Sequence, residues 1–569
     1  MTASGSAVVL GPAAIRCWAA TSVAALGARR AELDRLNVFP VADSDTGTNL
    51  FLTLAEAAAA VEREPGDGSA HDLAGAFGRG ALVGARGNSG VIVGQYLGAL
   101  VRALLPLPGA GELGEAREVA GGDEPAEAVA DGDPLVISVP TLVAALDAAA
   151  TAAYQVVAEP VEGTVLTIGR AVSRHAAAAA ASPSHGGTAP RARSGAAVLA
   201  VLEDAVVEGY GALLRTPGQL PALRAAGVLD AGAWGLLLVL DALAHCLGST
   251  SALERSAAGV RMPGAREQDR PAVHHDAHGG EFEVMYLVAA PVGRRETSDS
   301  AHRPPIPDDG DLAVPLRSGL SRVGESAAVM GGDGLWQVHV HTDRPLDALA
   351  VAAGVDGVIS QVRIRHLARQ AGVHGRHRPP LGLVVVTAAP GLVADLARSG
   401  AVVVLVPTGG SVGPELGRAV EDTGAVRVLL LAAVPVADHP QRDGLEVLDG
   451  LTEPQLVCGA STLASVDASA GADVLLAEAV RAVRGVRTTT VPAPGQTDVA
   501  GLRHGELVRR AADRLLTSGG SLVTAVTGST TSGAAVEALR TRVVGGPEGA
   551  ELVVLDGGVP GGDIALGVE

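Results

Sequence analysis

Leu36-Asn37-Val38-Phe39-Pro40-Val41-Ala42-Asp43-Ser44-Asp45-Thr46-Gly47-Thr48-Asn49 sets two carboxylates one residue apart, directly ahead of Leu50, Leu54, Ala57 and Val61, an apolar stripe at helical spacing. Ser44, Asp45 and Thr46 are residue types that cap a helix start, so the pattern predicts a helix over 46–62. The first free N–H groups of that helix, and the positive end of its dipole, then point back at the Asp pair. Asp43 and Asp45 are hard ligands suited to a small divalent cation, and the exposed amides with Thr46, Thr48 and Asn49 suit phosphate oxygens. An isolated D-x-D before a helix is also what an ordinary capped turn looks like. The rest of the chain decides between the two.

Composition narrows the chemistry. The chain contains no lysine, so all 43 basic residues are Arg, and it contains three asparagines. Asn37 and Asn49 lie in the opening stretch and Asn88 lies in Gly84-Ala85-Arg86-Gly87-Asn88-Ser89-Gly90, so a sequence that otherwise avoids the amide keeps it in these two loops. Without lysine there is no P-loop lysine, no Schiff base and no protein-kinase lysine. Any nucleotide must be held by metal, backbone, Arg and small polar side chains.

The 569 residues suffice for about three domains. A formal charge of −19 argues against nucleic acid or an anionic membrane surface as partner. Cys17, Cys246 and Cys458 are far apart and odd in number, which implies neither a disulfide framework nor a thiolate zinc site and fits a reducing cytoplasm. The amino terminus reads as a helix rather than a signal peptide, and no transmembrane segment is expected.

Residues 1–255 read as helical, with eight helices near 8–28, 46–62, 71–83, 89–105, 139–157, 162–180, 195–213 and 230–247 and no convincing strand. Residues 106–134 and 182–194 read as solvated insertions. Polar, glycine-bearing motifs precede every second helix: Asp43–Asn49, Gly87–Gly90, Pro160-Val161-Glu162-Gly163-Thr164 and Asp230-Ala231-Gly232-Ala233-Trp234-Gly235. In an up-and-down antiparallel arrangement, alternate helices start at the same end, so these four N-termini converge on one mouth. Each motif alone is weak. Their placement together predicts a polyphosphate site.

The segments LNVFPVADSDTGTNL, GARGNSGVIVGQ, PVEGTVLTIGR and AAGVLDAGAWGL resemble the motifs of the DAK2 (DhaL-like) kinase domain, and the longer chain resembles the fatty acid kinase catalytic subunit. The resemblance implies an all-α eight-helix antiparallel barrel that binds ATP with magnesium (Mg2+) at one end, followed by two α/β domains. It implies phosphoryl transfer to a fatty acid held by a separate DegV-like fatty-acid-binding carrier protein, giving an acyl phosphate. Carried over by position, it makes Asp43 and Asp45 magnesium ligands, with Asn37 beside them. It sets Thr46, Thr48 and Asn49 with Asn88, Ser89 and Gly90 around the phosphates, and Thr164 and Asp230 nearer the rest of the nucleotide. Ser44 stands where the family usually has Gly.

Residues 256–279 read as a linker, whose His274-His275-Asp276-Ala277-His278 is better explained as a solvated tract than as a metal site. Strands follow at 281–289 and 335–341, within an α/β region over 280–375. His339 and His341 share one face of the second strand, as neighbouring ligands would. In the resembled family these positions bind zinc (Zn2+) with a cysteine on the first strand, and Glu283 occupies the cysteine position here. The alternatives are a His2Glu centre and an exposed polar strand face. Residues 380–569 read as a further α/β region, with strands at 383–387, 402–406, 426–431, 522–526 and 552–555. The turn Pro407-Thr408-Gly409-Gly410-Ser411 is a weak anion-site motif, and the Thr408–Glu415 segment departs from the family's Gln- and Asn-containing motif. The later regions are the expected docking and homodimer surfaces.

No general base stands out among the motifs, which suits an acceptor already ionised at neutral pH better than an alcohol. Arg86 either stabilises developing charge or caps and solvates a helix. The rival readings are a kinase of a small polyol such as dihydroxyacetone and a nucleotide-binding regulatory protein without turnover.

Overall fold

The computed structural model describes residues 8–105, 135–182, 195–250, 280–290, 311–332, 334–368, 379–407, 410–437, 439–467, 470–493, 500–546 and 549–569. The linker 256–279 with its histidine tract, the insertion 106–134, most of the insertion 182–194, and Thr408 and Gly409 lie outside the described residues. The chain forms two compact units. The first takes its residues from Met1–His278, Ile306–Ser321 and Ser326–His339, and the second from Gly279–Pro305, Arg322–Glu325 and Val340–Glu569.

The amino-terminal region is helical. Among the described residues, eight long helices run in chain order: α1 (Pro12–Leu36), α2 (Thr46–Arg63), α3 (Ala70–Gly84), α4 (Gly87–Leu104), α5 (Val139–Val156), α6 (Val165–Ala181), α7 (Gly195–Gln219) and, after the short α8 (Pro221–Ala226), α9 (Ala231–Cys246). Local chemistry starts several of them. Pro12 opens α1, and Ser69 and Asp72 form a reciprocal capping box on α3. Thr164 and Asp230 accept from the second and third N–H groups of α6 and α9. Successive long helices pack on one another, and α9 packs on α1.

Leu50, Leu54, Ala57 and Val61 are all buried, as the helical period requires. They join one core with Trp18, Leu26, Phe77 and Leu237, in which Trp18 Nε1 donates to the Val239 carbonyl at 3.0 Å. Two features differ from expectation. Val8–Leu10 (β1) is a strand rather than a helix start, paired antiparallel with Leu135–Ile137 (β2). Cys17 and Cys246 form a disulfide, because the packing of α1 on α9 brings together residues 229 positions apart with a Cα separation of 6.0 Å. Buried Cys458 is the free cysteine.

The later region mixes helices with two sheets. The larger has eight strands: β3 (Phe282–Ala289), β4 (Glu325–Gly332), β5 (Leu335–Thr342), β6 (Val358–His366), β7 (Leu381–Thr387), β8 (Val402–Leu405), β9 (Arg427–Ala432) and β10 (Leu445–Leu448), in the order β10-β9-β7-β8-β6-β3-β5-β4. β7, β8, β9 and β10 are parallel, and their near-continuous Val and Leu suits strands covered on both faces. β6 runs antiparallel to both β3 and β8, so strands from 280–375 and from beyond 380 share one sheet. The smaller sheet, β11 (Arg487–Val491), β12 (Leu522–Thr527), β13 (Glu551–Asp556) and β14 (Ile564–Val568), has the order β11-β14-β12-β13 and its own apolar core.

Candidate functional site

The loop between α1 and α2 is held by its own side chains. Asn37 Nδ2 donates to Asp43 Oδ1 at 2.8 Å and to the Val41 carbonyl at 2.6 Å, and Asn37 Oδ1 accepts from the Thr46 hydroxyl. Ser44, between the two acids, has φ of 60°, the left-handed region that glycine occupies without penalty. That backbone explains why a Gly is usual there and what its replacement by Ser costs. Asp43 and Asp45 are both buried, yet Asp45, at the N-cap position of α2, makes no side-chain cap bond. Its carboxylate is therefore not consumed by the ordinary capping role.

Two residues that sequence reasoning missed fix the start of α2. Asp34 accepts from the Thr48 N–H at 2.8 Å and from its hydroxyl at 2.9 Å, while Arg30 Nε donates to the same hydroxyl at 2.9 Å. Thr48 is thus turned toward α1, whereas Thr46 is turned toward Asn37. Gly47 permits this approach, since a Cβ there would stand 2.2 Å from the Arg30 carbonyl oxygen. The acid–base–Gly combination was present in the sequence, but only the crossing of α1 and α2 gives it meaning.

The four motif-bearing helix starts meet. A Cβ on Gly87, whose φ is +58°, would stand 2.3 Å from Asn49 Nδ2, which places the start of α4 against that of α2. Thr53 Oγ1 reinforces the contact by accepting from the Arg86 N–H at 3.1 Å. A Cβ on Gly232 would lie 3.6 Å from both Ser89 Oγ and Val165 Cβ, which brings the starts of α4, α6 and α9 together. Asn88 and Ser89 are half-buried, and Gly90 is buried with Thr53 against it. Arg86, at 1% exposure, is too buried to be solvating a helix end. Thr164 donates to the Val161 carbonyl at 2.7 Å while capping α6. Burial pushes the Asp230 carboxyl up to about 6, against the opposing effect of the Ala233 and Val165 N–H groups that donate to it.

Opposed to an Asp pair, these positive helix ends can accept a dication and an anionic chain together. Asp43 and Asp45 fit magnesium by donor type, since both are carboxylates and Asp45 is not spent on capping.

A second cluster lies on the larger sheet. Glu283 on β3 and His339 and His341 on β5 are all buried, with one ligand atom from each within 4.8 Å of the others. The exposed polar face is therefore excluded. Two imidazoles and a carboxylate are a three-ligand set that fits zinc. Glu283 also accepts from Arg365 on β6, its cross-strand partner, with Nε at 2.6 Å from Oε2.

Residues 40–245 match the DAK2 domain, and residues 309–373 match the middle domain of FakA-like fatty acid kinase proteins. The chain is 26% identical over 418 residues to protein YloV of Bacillus subtilis, covering 70% of this chain and 66% of that protein. It is 28% identical over 322 residues to an uncharacterized protein of Staphylococcus saprophyticus, covering 55% of this chain and 48% of the relative. An uncharacterized protein of Staphylococcus haemolyticus is 29% identical over 315 residues, covering 55% and 47%. The chain thus spans about half the length of the staphylococcal relatives and 66% of YloV. The matched segments thus lie within the helical region, over 40–245, and within the strands and helices that follow it, over 309–373. Through the second of these segments the chain is similar to FakA-like fatty acid kinase proteins. Among the described residues, no helix is long and apolar enough to cross a membrane.

Proposed function

We propose that the chain transfers the γ-phosphoryl group of ATP to the carboxylate of a fatty acid presented by a separate DegV-like lipid-binding protein. A carboxylate oxygen bonds to the γ-phosphorus as the bond from that phosphorus to the ADP oxygen breaks, leaving acyl phosphate and ADP. Residues 1–255 would serve as the ATP-binding barrel, and the regions over 280–375 and 380–569 as the carrier and homodimer surfaces. The observation that carries the reading is the meeting of four helix starts beside the Asp43–Asp45 pair, one of whose members is not spent on capping.

In this reading Asp43 and Asp45 hold magnesium, which supplies charge neutralisation on the phosphates when bound. Asn37 orients Asp43 through its amide, beyond any direct ligation. The N–H groups and polar side chains of Thr46, Asn49, Asn88, Ser89 and Gly90 orient the phosphate oxygens, and Arg86 opposes the charge that develops on transfer. Thr48 serves through the α1 contact that sets where α2 begins. Thr164 and Asp230 shape the remainder of the nucleotide site by fixing the starts of α6 and α9. A loose phosphoryl-transfer transition state needs this positioning more than it needs a base.

The test is acyl phosphate formation from oleate or palmitate with ATP and magnesium, with and without a lipid-binding protein from the same organism. Turnover that requires the carrier supports the proposal. Full turnover on free acid removes the carrier from it. Turnover only on a small polyol, or nucleotide binding without turnover, overturns the assignment of the acceptor or of the enzyme.

A further inference from the structure

Glu283, at the centre of the sheet cluster, faces two claims on its carboxylate. β3 lies between β5 and β6 in the sheet, so its Glu283 stands between the histidines of one neighbour and Arg365 of the other. The antiparallel register pairs Glu283 directly with Arg365, and both the Nε and an Nη of the guanidinium reach the same oxygen, Oε2. Arg365 is itself buried, so its charge is not dispersed into water.

We propose that Arg365 is a built-in competitor of the metal at the Glu283–His339–His341 centre, and that it sets how tightly zinc is held. Without metal, the carboxylate of Glu283 and the guanidinium of Arg365 neutralise each other. A dication entering the same buried region adds two charges beside a fixed guanidinium, and the one carboxylate offsets only one of the three. Repulsion between the zinc and the guanidinium is strong where solvent is excluded, and the hydrogen bonds to Oε2 withdraw electron density from the ligand that carries the charge. Glu283 and Arg365 therefore act as one unit.

The experiment is zinc titration of the full chain against a competing chelator, with thermal melting in chelator and in excess zinc. Arg365→Gln is expected to bind zinc at least tenfold more tightly than the wild type, to melt lower in chelator because Glu283 loses its counter-charge, and to regain more on zinc addition. Arg365→Met, equally neutral, carries the same expectation should the Gln variant fail to fold. Arg365→Lys, which keeps the charge, is expected to stay within a few-fold of the wild type. Glu283→Gln should abolish tight binding in either background. Unchanged or weaker affinity in the neutral variants, an equal gain in Arg365→Lys, or no zinc binding by any of the proteins overturns the proposal. None of these readouts depends on kinase turnover.

Discussion

Asn37 Nδ2 lies 2.8 Å from Asp43 Oδ1 and 2.6 Å from the Val41 carbonyl oxygen, so one amide orients the carboxylate and the loop that carries it. A hydrogen bond to a charged group contributes about 1.5–3 kcal/mol. Asn37→Ala is therefore expected to weaken magnesium-dependent ATP binding by about 10- to 100-fold, with partial activity retained. Calorimetric titration with and without magnesium checks it. Unaltered affinity would show that Asp43 does not need the brace.

On the proposed reading, Asp43→Ala and Asp45→Ala should each abolish transfer while leaving the helical region folded, because each would remove a metal ligand rather than an apolar core side chain. Circular dichroism and thermal melting should match the wild type, and magnesium should no longer enhance nucleotide affinity. Undiminished magnesium-ATP turnover in both variants would remove the metal assignment.

Gly87→Ala forces a Cβ onto a residue at φ +58° and against Asn49 Nδ2. The backbone strain costs about 1–3 kcal/mol, and the amide must move away from the meeting point of α2 and α4. A lowered melting temperature with weakened nucleotide binding is the expected result.

The Asp230 carboxyl titrates near 6 in the folded chain, against an ordinary value of 3.8. The folded state binds its proton more tightly, so this contribution to stability is full below the ordinary value and is lost as pH rises through 6. Between pH 4 and pH 7 the loss is about 2 kcal/mol. Asp230→Asn should remove that component, leaving a flatter pH dependence in denaturant unfolding without nucleotide. Identical slopes in the two proteins would contradict the shifted titration.

Reduction of the Cys17–Cys246 disulfide, which closes a sequence separation of 229 residues, should lower stability. The chain-entropy account puts the upper limit at about 5 kcal/mol for so long a loop. Thermal melting with and without reductant measures it, and Cys17→Ser should melt like the reduced wild type and no longer respond to reductant.

What the sequence revealed was whatever is local or periodic. The Leu50–Val61 stripe, the caps at Thr164 and Asp230, and the i, i+2 histidines of β5 are written within a few residues. The agreement of DAK2 motifs with the matched domain rests on such short segments. What stayed hidden depends on partners brought from far along the chain. Asp34 and Arg30 look like ordinary surface charges of α1 until Thr48 meets them, and Arg365 looks like an exposed strand cation until register sets it against Glu283. Cys17 and Cys246 gave no spacing signal because their proximity comes from helix packing alone. Ser44 was visible as an irregularity, and its positive φ supplies the reason.

The antiparallel seam between β6 and β8 bears on how the gene can be divided. A chain ended near residue 375 would lose β8 and leave the backbone groups of β6 that face it, over Val362–Ile364, along an open edge. Such an edge is a template for self-association, so the piece would be expected to recruit a foreign strand or precipitate rather than persist alone. Expression boundaries, fusion junctions and protease-accessible cuts for this protein belong on either side of that seam, not along it.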